Sequence, residues 1–355
     1  MAEYKVLVAG DTFMEPKVFS GIVEDIFRKN GLDVDVRSIE WPFKGYQKGR
    51  LKGVKREIRE FAGNPERLAA LVKDIDVLFV HVAPVTKEVL DAAASLKVVG
   101  CARGGPVNVD VDAATMKGIP VLYTPGRNNE AVADYTMGLI LAMSRNIVKA
   151  HLKLKQGVWN EEFYEYRHCG DELSGKTLGL IGFGRVGAEV AKRARAFNMR
   201  IISYDPYVSI EVMASLGVEK VELENLLRES DIVSIHARLT PETRQLIGEK
   251  ELRSMKPNAI LINTARGEIL DERTLLKALR EGWISGAALD VFESEPLPPD
   301  HPFMELENVI ITPHIAGASK QTVHRSAKML AEDAARILRG EKPRFCINPE
   351  VFEKS

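Results

Sequence analysis

The sequence predicts an α/β protein built from two doubly wound, parallel-sheet domains. Two observations predict it. Short apolar runs alternate with helical patterns along the chain, the pattern of strands joined by crossover helices. One run, Leu178 to Ile181, closes in the turn Gly182-Phe183-Gly184-Arg185-Val186-Gly187. A helical pattern follows from Ala188 to about Phe197, and a second apolar run, Ile201 to Tyr204, ends at Asp205.

This strand, turn, helix and acid have the spacing of a dinucleotide site rather than of a merely structural glycine turn. Gly182 permits the tight turn, Gly184 lets the backbone approach a pyrophosphate, and Gly187 lets helix and strand pack closely. The helix start offers free N–H groups and a partial positive charge to phosphates. Asp205 stands 18 positions after Gly187, where an acid takes the adenosine ribose hydroxyls. At about 4 Å it would repel a 2′-phosphate by several kcal/mol, and Pro206 follows it instead of a pairing Arg. The cofactor expected is NAD, not NADP.

Length and composition bound the rest. The 355 residues suit two domains; 45% are hydrophobic and 28% charged, with net charge −1. That balance gives no general attraction to nucleic acid or an anionic membrane. No apolar run reaches the roughly 18 residues of a membrane span, and MAEYKVLVAGD is no signal peptide. Cys101, Cys169 and Cys346 are odd in number and widely spaced, which argues against a disulfide framework or a zinc site and for a cytoplasmic protein.

In chain order, strands are expected at Tyr4–Ala9, Val34–Ser38, Val77–Val80, Lys97–Cys101 and Pro120–Tyr123, with helices such as Pro16–Lys29 and Lys87–Ala94 between them. This first sheet lacks the glycine fingerprint. Trp41 to Arg59 is basic and reads as a solvated loop and helix face, or as a patch that draws in an anionic substrate. Arg103-Gly104-Gly105-Pro106 reads equally as a small-anion nest or an ordinary turn. Glu130 to Ala150 is one long apolar helical pattern, expected between domains or against another subunit. His151 to Leu173 is irregular and aromatic, and is expected to wrap over a neighbouring surface. After Asp205, strands at Asp231–Ala237, Ala259–Ala265, Ile284–Val291 and Val309–Thr312 complete a six-stranded sheet. Helices are read at Glu222–Glu229, Glu249–Met255 and Glu272–Glu281. A last helix, Ser319 to Arg339, returns the chain to the first domain.

Ligands of an open parallel sheet bind beyond the carboxyl ends of its strands. Arg266, Glu295 and His314 each follow such a strand. Singly they read as a loop cation, a surface acid and a loop histidine. Beside a nicotinamide they make a set. His314 can exchange the hydroxyl proton, Glu295 would hold its tautomer and favour its charged form, and Arg266 can bind a carboxylate and stabilise a developing alkoxide.

SGKTLGLIGFGRVG, NTARGEILDE, ALDVFESEP and TPHIAG resemble the D-isomer-specific 2-hydroxyacid dehydrogenase family over nearly the whole chain. The resemblance implies a Rossmann NAD domain, 129–317, inserted into a flavodoxin-like substrate domain formed by 1–128 and 318–355, with the active site in the cleft. It implies catalysis by Arg266, Glu295 and His314. It implies cofactor contacts at Gly182, Gly184, Arg185, Val186, Gly187, Asp205, the loop beginning at His236 and Ala237, Thr264, Ala265, Asp290 (for the nicotinamide amide) and Gly317. Arg103, Gly104 and Gly105 match the family's substrate-carboxylate loop, with Arg266 and His81 completing the substrate set. No metal is implied. Members usually form dimers through the NAD domain and the helix before it; a homodimer or homotetramer is expected.

Two departures bear on the substrate. Val107 stands where the family loop often has Asp, and His81-Val82 stands where phosphoglycerate dehydrogenase-like members have Arg-Ser. No sequence follows Ser355 for a regulatory domain, so control through one is not expected. The expected activity is hydride transfer between NAD(H) and a small D-2-hydroxy or 2-oxo acid: hydroxypyruvate, glyoxylate, a sugar acid or 3-phosphoglycerate. Phosphite or formate oxidation in the same superfamily, and an NAD-sensing corepressor, are the alternatives. Formate enzymes of this type carry Gln where Glu295 stands.

Overall fold

The computed structural model describes residues 3–42 and 47–353. The chain separates into two compact units, Met1–Arg127 with Ser319–Ser355, and Asn128–Ala318.

The first unit holds β1 (Tyr4–Gly10), β2 (Val34–Glu40), the pair β3 (Gln47–Lys52) and β4 (Glu57–Phe61), then β5 (Val77–Val80), β6 (Val98–Cys101) and β7 (Val121–Leu122). Its parallel sheet has the order β2-β1-β5-β6-β7. That is a flavodoxin-like order, whose switch point lies between β1 and β5. Both faces are covered, which is why these strands read as unbroken apolar runs. Val6, Val8, Val77 and Phe79 pack with Phe19, Val23 and Phe27 of helix Pro16–Lys29 and with Ala327, Leu330 and Ala334 of helix Lys320–Leu338. Leu7, Ala9, Leu78 and Val80 face a second core with Leu68, Leu90 and Ala113.

The basic stretch from Trp41 to Arg59 departs from the sequence reading. Its described part is an antiparallel hairpin, β3 with β4, not a loop and helix; Lys44 lies outside the described residues. Charge hid two buried side chains in β4. Ile58 and Phe61 are buried between exposed neighbours, and Glu60 takes a positive φ of 53° that brings both inward.

The second unit holds β8 (Thr177–Ile181), β9 (Arg200–Tyr204), β10 (Glu219–Lys220), β11 (Ile232–Ile235), β12 (Ile260–Asn263), β13 (Gly286–Leu289) and β14 (Val309–Ile311). The order is β10-β9-β8-β11-β12-β13-β14, all parallel. This is a Rossmann sheet with a seventh strand, reversing between β8 and β11. The sequence reading had six strands. It passed over β10, which spans only two part-exposed residues, and the short helix Ile210–Ser215 before it.

The long helical pattern before the glycine turn is two helices, Asn129–Ser144 and Ile147–Lys155. Asn146 stands at φ 56° between them, a left-handed conformation that asparagine tolerates. The irregular segment folds back onto the break. The amide of Asn146 donates to the His168 carbonyl at 3.0 Å, Asp171 N–H donates to the Ser144 carbonyl at 2.8 Å, and a Cβ on Gly170 would stand 2.3 Å from that same carbonyl oxygen. Helix Asn129–Ser144 buries Met137 and Ile140 within its own unit, with Val190 and Ala194 of helix Arg185–Arg195 and with Ile262 and Ala288 of the sheet. That packing accounts for Met137 and Ile140. Trp159, Tyr164 and Tyr166 are exposed.

Candidate active site

The glycine turn sits at the switch point of the second sheet. Gly182 has φ 95°, and a Cβ there would lie 2.6 Å from the Ala237 nitrogen, so the bare residue lets the ends of β8 and β11 close together. A Cβ on Gly187 would lie 2.5 Å from the Gly182 carbonyl oxygen; this is the close helix–turn contact. Gly184 differs. It precedes helix Arg185–Arg195, and a Cβ added to it would meet nothing within 4 Å. The helix start therefore opens onto free space, with Arg185 exposed and Val186 half-buried in its first turn.

Asp205 is tied to this turn. One carboxylate oxygen accepts from Phe183 N–H at 2.8 Å and the other from Tyr207 N–H at 2.9 Å. The remaining lone pairs can still accept ribose hydroxyls. Open space over a helix N-terminus with an acid beside it fits a dinucleotide.

The other expected cofactor residues surround the strand ends. His236 N–H donates to the Ile181 carbonyl at 2.8 Å, and its ring Nε2 lies 2.9 Å from the Ser234 hydroxyl. Burial pushes the ring pKa down to about 4, so the imidazole is neutral at pH 7. The Thr264 hydroxyl is buried, 3.0 Å from that of Thr136. Ala265 N–H donates to the Asn263 side chain at 3.0 Å. A Cβ on Gly317 would stand 2.6 Å from the Asn128 amide nitrogen.

The reactive groups lie beyond β12, β13 and β14. Glycine again sets the spacing. A Cβ on Gly267 would sit 1.9 Å from the Phe292 carbonyl carbon, so only glycine lets the segment that carries Arg266 lie against the turn that carries Glu295. Arg266 is exposed, with Nη1 donating to the Ala265 carbonyl at 2.7 Å. Glu295 Oε1 accepts from Phe292 N–H at 3.0 Å, and Oε2 lies 2.8 Å from His314 Nδ1. Burial pushes the Glu295 carboxyl up, but the bond and charge of His314, the Phe292 N–H and the Arg266 guanidinium together hold it below its ordinary value. A carboxylate here is ionised at neutral pH and faces an imidazole.

His314 stands at φ 55° in a loop clasped by Asp290. That buried carboxylate accepts from the Thr312 hydroxyl at 2.7 Å, Ile315 N–H at 2.9 Å and Ala316 N–H at 2.8 Å. The sequence offered Asp290 only as a nicotinamide contact. Its hold on the histidine loop was not foreseen, since only the fold brings residues 290 and 312–316 together. Glu272, the first residue of helix Glu272–Arg280, was also missed; it accepts from the backbone N–H of Glu293.

The first unit carries the expected substrate residues at the carboxyl end of its own sheet. Gly104 and Gly105 are exposed, and a Cβ on either would meet nothing within 4 Å. Arg103 pairs with the Glu60 carboxylate and donates to the Glu60 carbonyl at 2.7 Å, so its charge is partly spent on the hairpin. His81 requires a correction. It is 1% exposed, not offered to a ligand, and its Nδ1 lies 2.7 Å from Asp11 Oδ2. Burial pushes its pKa down, with Arg127 and Arg103 adding to that, against the opposing pull of Asp11. Asp11 was missed because nothing local links residues 11 and 81. Asn108 holds the loop below it, donating to the Ala83 carbonyl at 2.8 Å and the His81 carbonyl at 3.2 Å.

Comparison with known proteins finds relatives over most of the chain. Residues 137–316 match the family model of the D-isomer specific 2-hydroxyacid dehydrogenase NAD-binding domain. The chain is 47% identical over 283 residues to a glyoxylate reductase of Korarchaeum cryptofilum, covering 79% of this chain and 85% of that one. It is 46% identical over 285 residues to a D-3-phosphoglycerate dehydrogenase of Methanocaldococcus jannaschii, covering 80% of this chain and 53% of that one. The crystal structure of the TT0316 protein from Thermus thermophilus superimposes with a TM-score of 0.75 at 37% identity, covering 97% of this chain and 99% of that one. The chain belongs to the D-isomer specific 2-hydroxyacid dehydrogenase family and is an NAD-dependent oxidoreductase of small 2-hydroxy acids.

Proposed function

We propose that the chain interconverts a small, unphosphorylated 2-oxo acid and its D-2-hydroxy acid, with glyoxylate or hydroxypyruvate as the type of substrate. Glyoxylate reductases stand among its relatives. Arg103, which could replace a phosphate-binding cation, is engaged by the Glu60 carboxylate and carbonyl, and the position where phosphoglycerate dehydrogenase-like members have Arg is the buried His81. A phosphorylated acid is the second reading. It is favoured by the hairpin residues Lys52, Lys55, Arg56 and Arg59, exposed and without ion-pair partners among the described residues.

The observation that carries the catalytic assignment is the 2.8 Å contact of His314 Nδ1 with Glu295 Oε2. With Nδ1–H donating to the carboxylate, Nε2 is the nitrogen left to exchange a proton. In reduction His314 gives that proton to the carbonyl oxygen of the substrate; in oxidation it removes the proton from the hydroxyl. Arg266 binds the substrate carboxylate and stabilises negative charge on the reacting oxygen. The bare Gly104–Gly105 backbone, at the carboxyl end of the first unit's own sheet, suits a small anion. Gly184, Arg185, Val186 and Asp205 would hold the pyrophosphate and ribose of NAD, and Thr264, Ala265, Asp290 and Gly317 would line the nicotinamide end. The nicotinamide, when bound, supplies or accepts the hydride at C2 of the acid.

The test is NADH oxidation with a panel of 2-oxo acids, each with and without a phosphate group. Glyoxylate or hydroxypyruvate should give the higher kcat/KM; a preference for phosphohydroxypyruvate would install the second reading. We also propose a homodimer in a reducing compartment, supported by the exposed aromatics Trp159, Tyr164 and Tyr166, close together in sequence, and by three free cysteines. A monomeric mass in solution would reject the dimer.

A further inference from the structure

We propose that Glu272 is a positioning residue for the Glu295–His314 pair, a role that rests on the functional reading above. Glu272 opens helix Glu272–Arg280 just after the Asp271 cap, and its Oε1 accepts the Glu293 N–H. The neighbouring Phe292–Glu293 backbone is also what Gly267 lies against. The segment from Arg266 to Glu272 thus grips the Phe292–Glu295 turn twice, once through bare glycine backbone and once through a carboxylate.

Glu295 closes the same turn with Oε1 on Phe292 N–H, which leaves Oε2 for the imidazole. Glu272 therefore acts through the turn, without touching the reacting atoms. It joins the Arg266 side of the site to the Glu295 side. If the turn slackens, Glu295 loses its register with His314, and displacements of about 1 Å in such constellations are felt in turnover.

Charge adds to geometry. Glu268 and Arg266 precede Glu272 on its own segment, Glu293 and Glu295 face it from the turn, and His314 lies beyond Glu295. Burial pushes the Glu272 carboxyl up, and Glu293, Glu295 and Glu268 push the same way, against the pull of the Glu293 N–H.

The experiment compares Glu272→Ala and Glu272→Gln with wild type by steady-state kinetics over pH, thermal unfolding, and NMR of the His314 ring across the same pH range. Glu272→Ala should lower kcat about tenfold while leaving the Kd for NADH within about twofold. Glu272→Gln should restore most of kcat, because its carbonyl can still accept the Glu293 N–H. In Glu272→Ala the ring resonances should move from their wild-type positions as the Glu295 contact loosens, and in Glu272→Gln they should stay near them. Wild-type turnover and an unmoved ring in Glu272→Ala would overturn the proposal. So would a Gln variant no better than Ala when both merely unfold at lower temperature. The ring is read without turnover, so failure to reduce any 2-oxo acid would count against the functional reading, whereas an unmoved ring in an active enzyme would count against Glu272 alone.

Discussion

Replacing Glu295 by Gln tests the core of the site, because the amide cannot satisfy both of the carboxylate's partners. Oε1 now accepts from Phe292 N–H at 3.0 Å and Oε2 faces His314 Nδ1 at 2.8 Å. Glutamine has one acceptor oxygen and one NH2. If the oxygen stays on Phe292 N–H, the NH2 meets Nδ1 and selects the imidazole tautomer with the proton on Nε2. If it flips, the NH2 opposes the Phe292 N–H, donor against donor. The negative charge is lost in either case. For unit charges about 4 Å apart, Coulomb attraction is about 1 kcal/mol in water and about 4 kcal/mol at an effective dielectric of 20. The side chains are 38% and 30% exposed, so a value nearer the lower end applies, about 1–2 kcal/mol. At about 1.4 kcal/mol per pH unit, the limb of the kcat/KM profile for 2-oxo acid reduction that falls as pH rises should move about one unit toward acid. The wrong tautomer should lower turnover in oxidation further, by about 100-fold or more. The assay is the full pH–rate profile in both directions, with NADH and NAD affinity measured by fluorescence. An unmoved limb with unchanged turnover would refute the pairing of Glu295 with the proton-transferring imidazole.

The other expected outcomes are shorter to state. His314→Ala should lower kcat about 100- to 10,000-fold, and single-turnover kinetics would separate this from slow product release. Arg266→Ala should raise the Michaelis constant for the acid and lower kcat together; a change in KM alone would limit Arg266 to ground-state binding. Asp205→Ala should relax the preference for NAD over NADP, read as the ratio of kcat/KM values, because the charge that repels a 2′-phosphate is gone. Gly267→Ala should destabilise the protein by about 2–4 kcal/mol in urea unfolding, since its Cβ would stand 1.9 Å from the Phe292 carbonyl carbon; a neutral substitution would show that the turn can yield.

Much of the second unit was legible because its buried parallel strands are apolar on both faces. The reading Val309–Thr312 meets the observed Val309–Ile311, and strand-end reasoning named two residues, Glu295 and His314, that meet at 2.8 Å although 19 positions apart. Legibility failed where burial is one-sided or contact is distant. The β3–β4 hairpin offers few buried side chains among many exposed charges, so composition masked its period. The helix break at Asn146 has no glycine or proline to announce it. There the backbone around residues 168–171 bonds to Ser144 and Asn146, a contact that no local window contains.

The same contrast separates the glycines from the acids of the site. Gly182, Gly187 and Gly267 each stand where a Cβ would meet backbone atoms at 1.9–2.6 Å, and motif spacing alone points to the first two. The supporting acids have no such signature. Asp290 holds the His314 loop by three bonds, Glu272 holds the Glu295 turn, and Asp11 holds a buried imidazole. Each is an ordinary-looking carboxylate in the sequence, and its partners are main-chain N–H groups, a hydroxyl or a ring. A buried carboxylate is costly unless it is bonded. Positions 11 and 290 are therefore ones where the sequence alone suggests a surface acid and the fold demands a ligand of its own backbone or core.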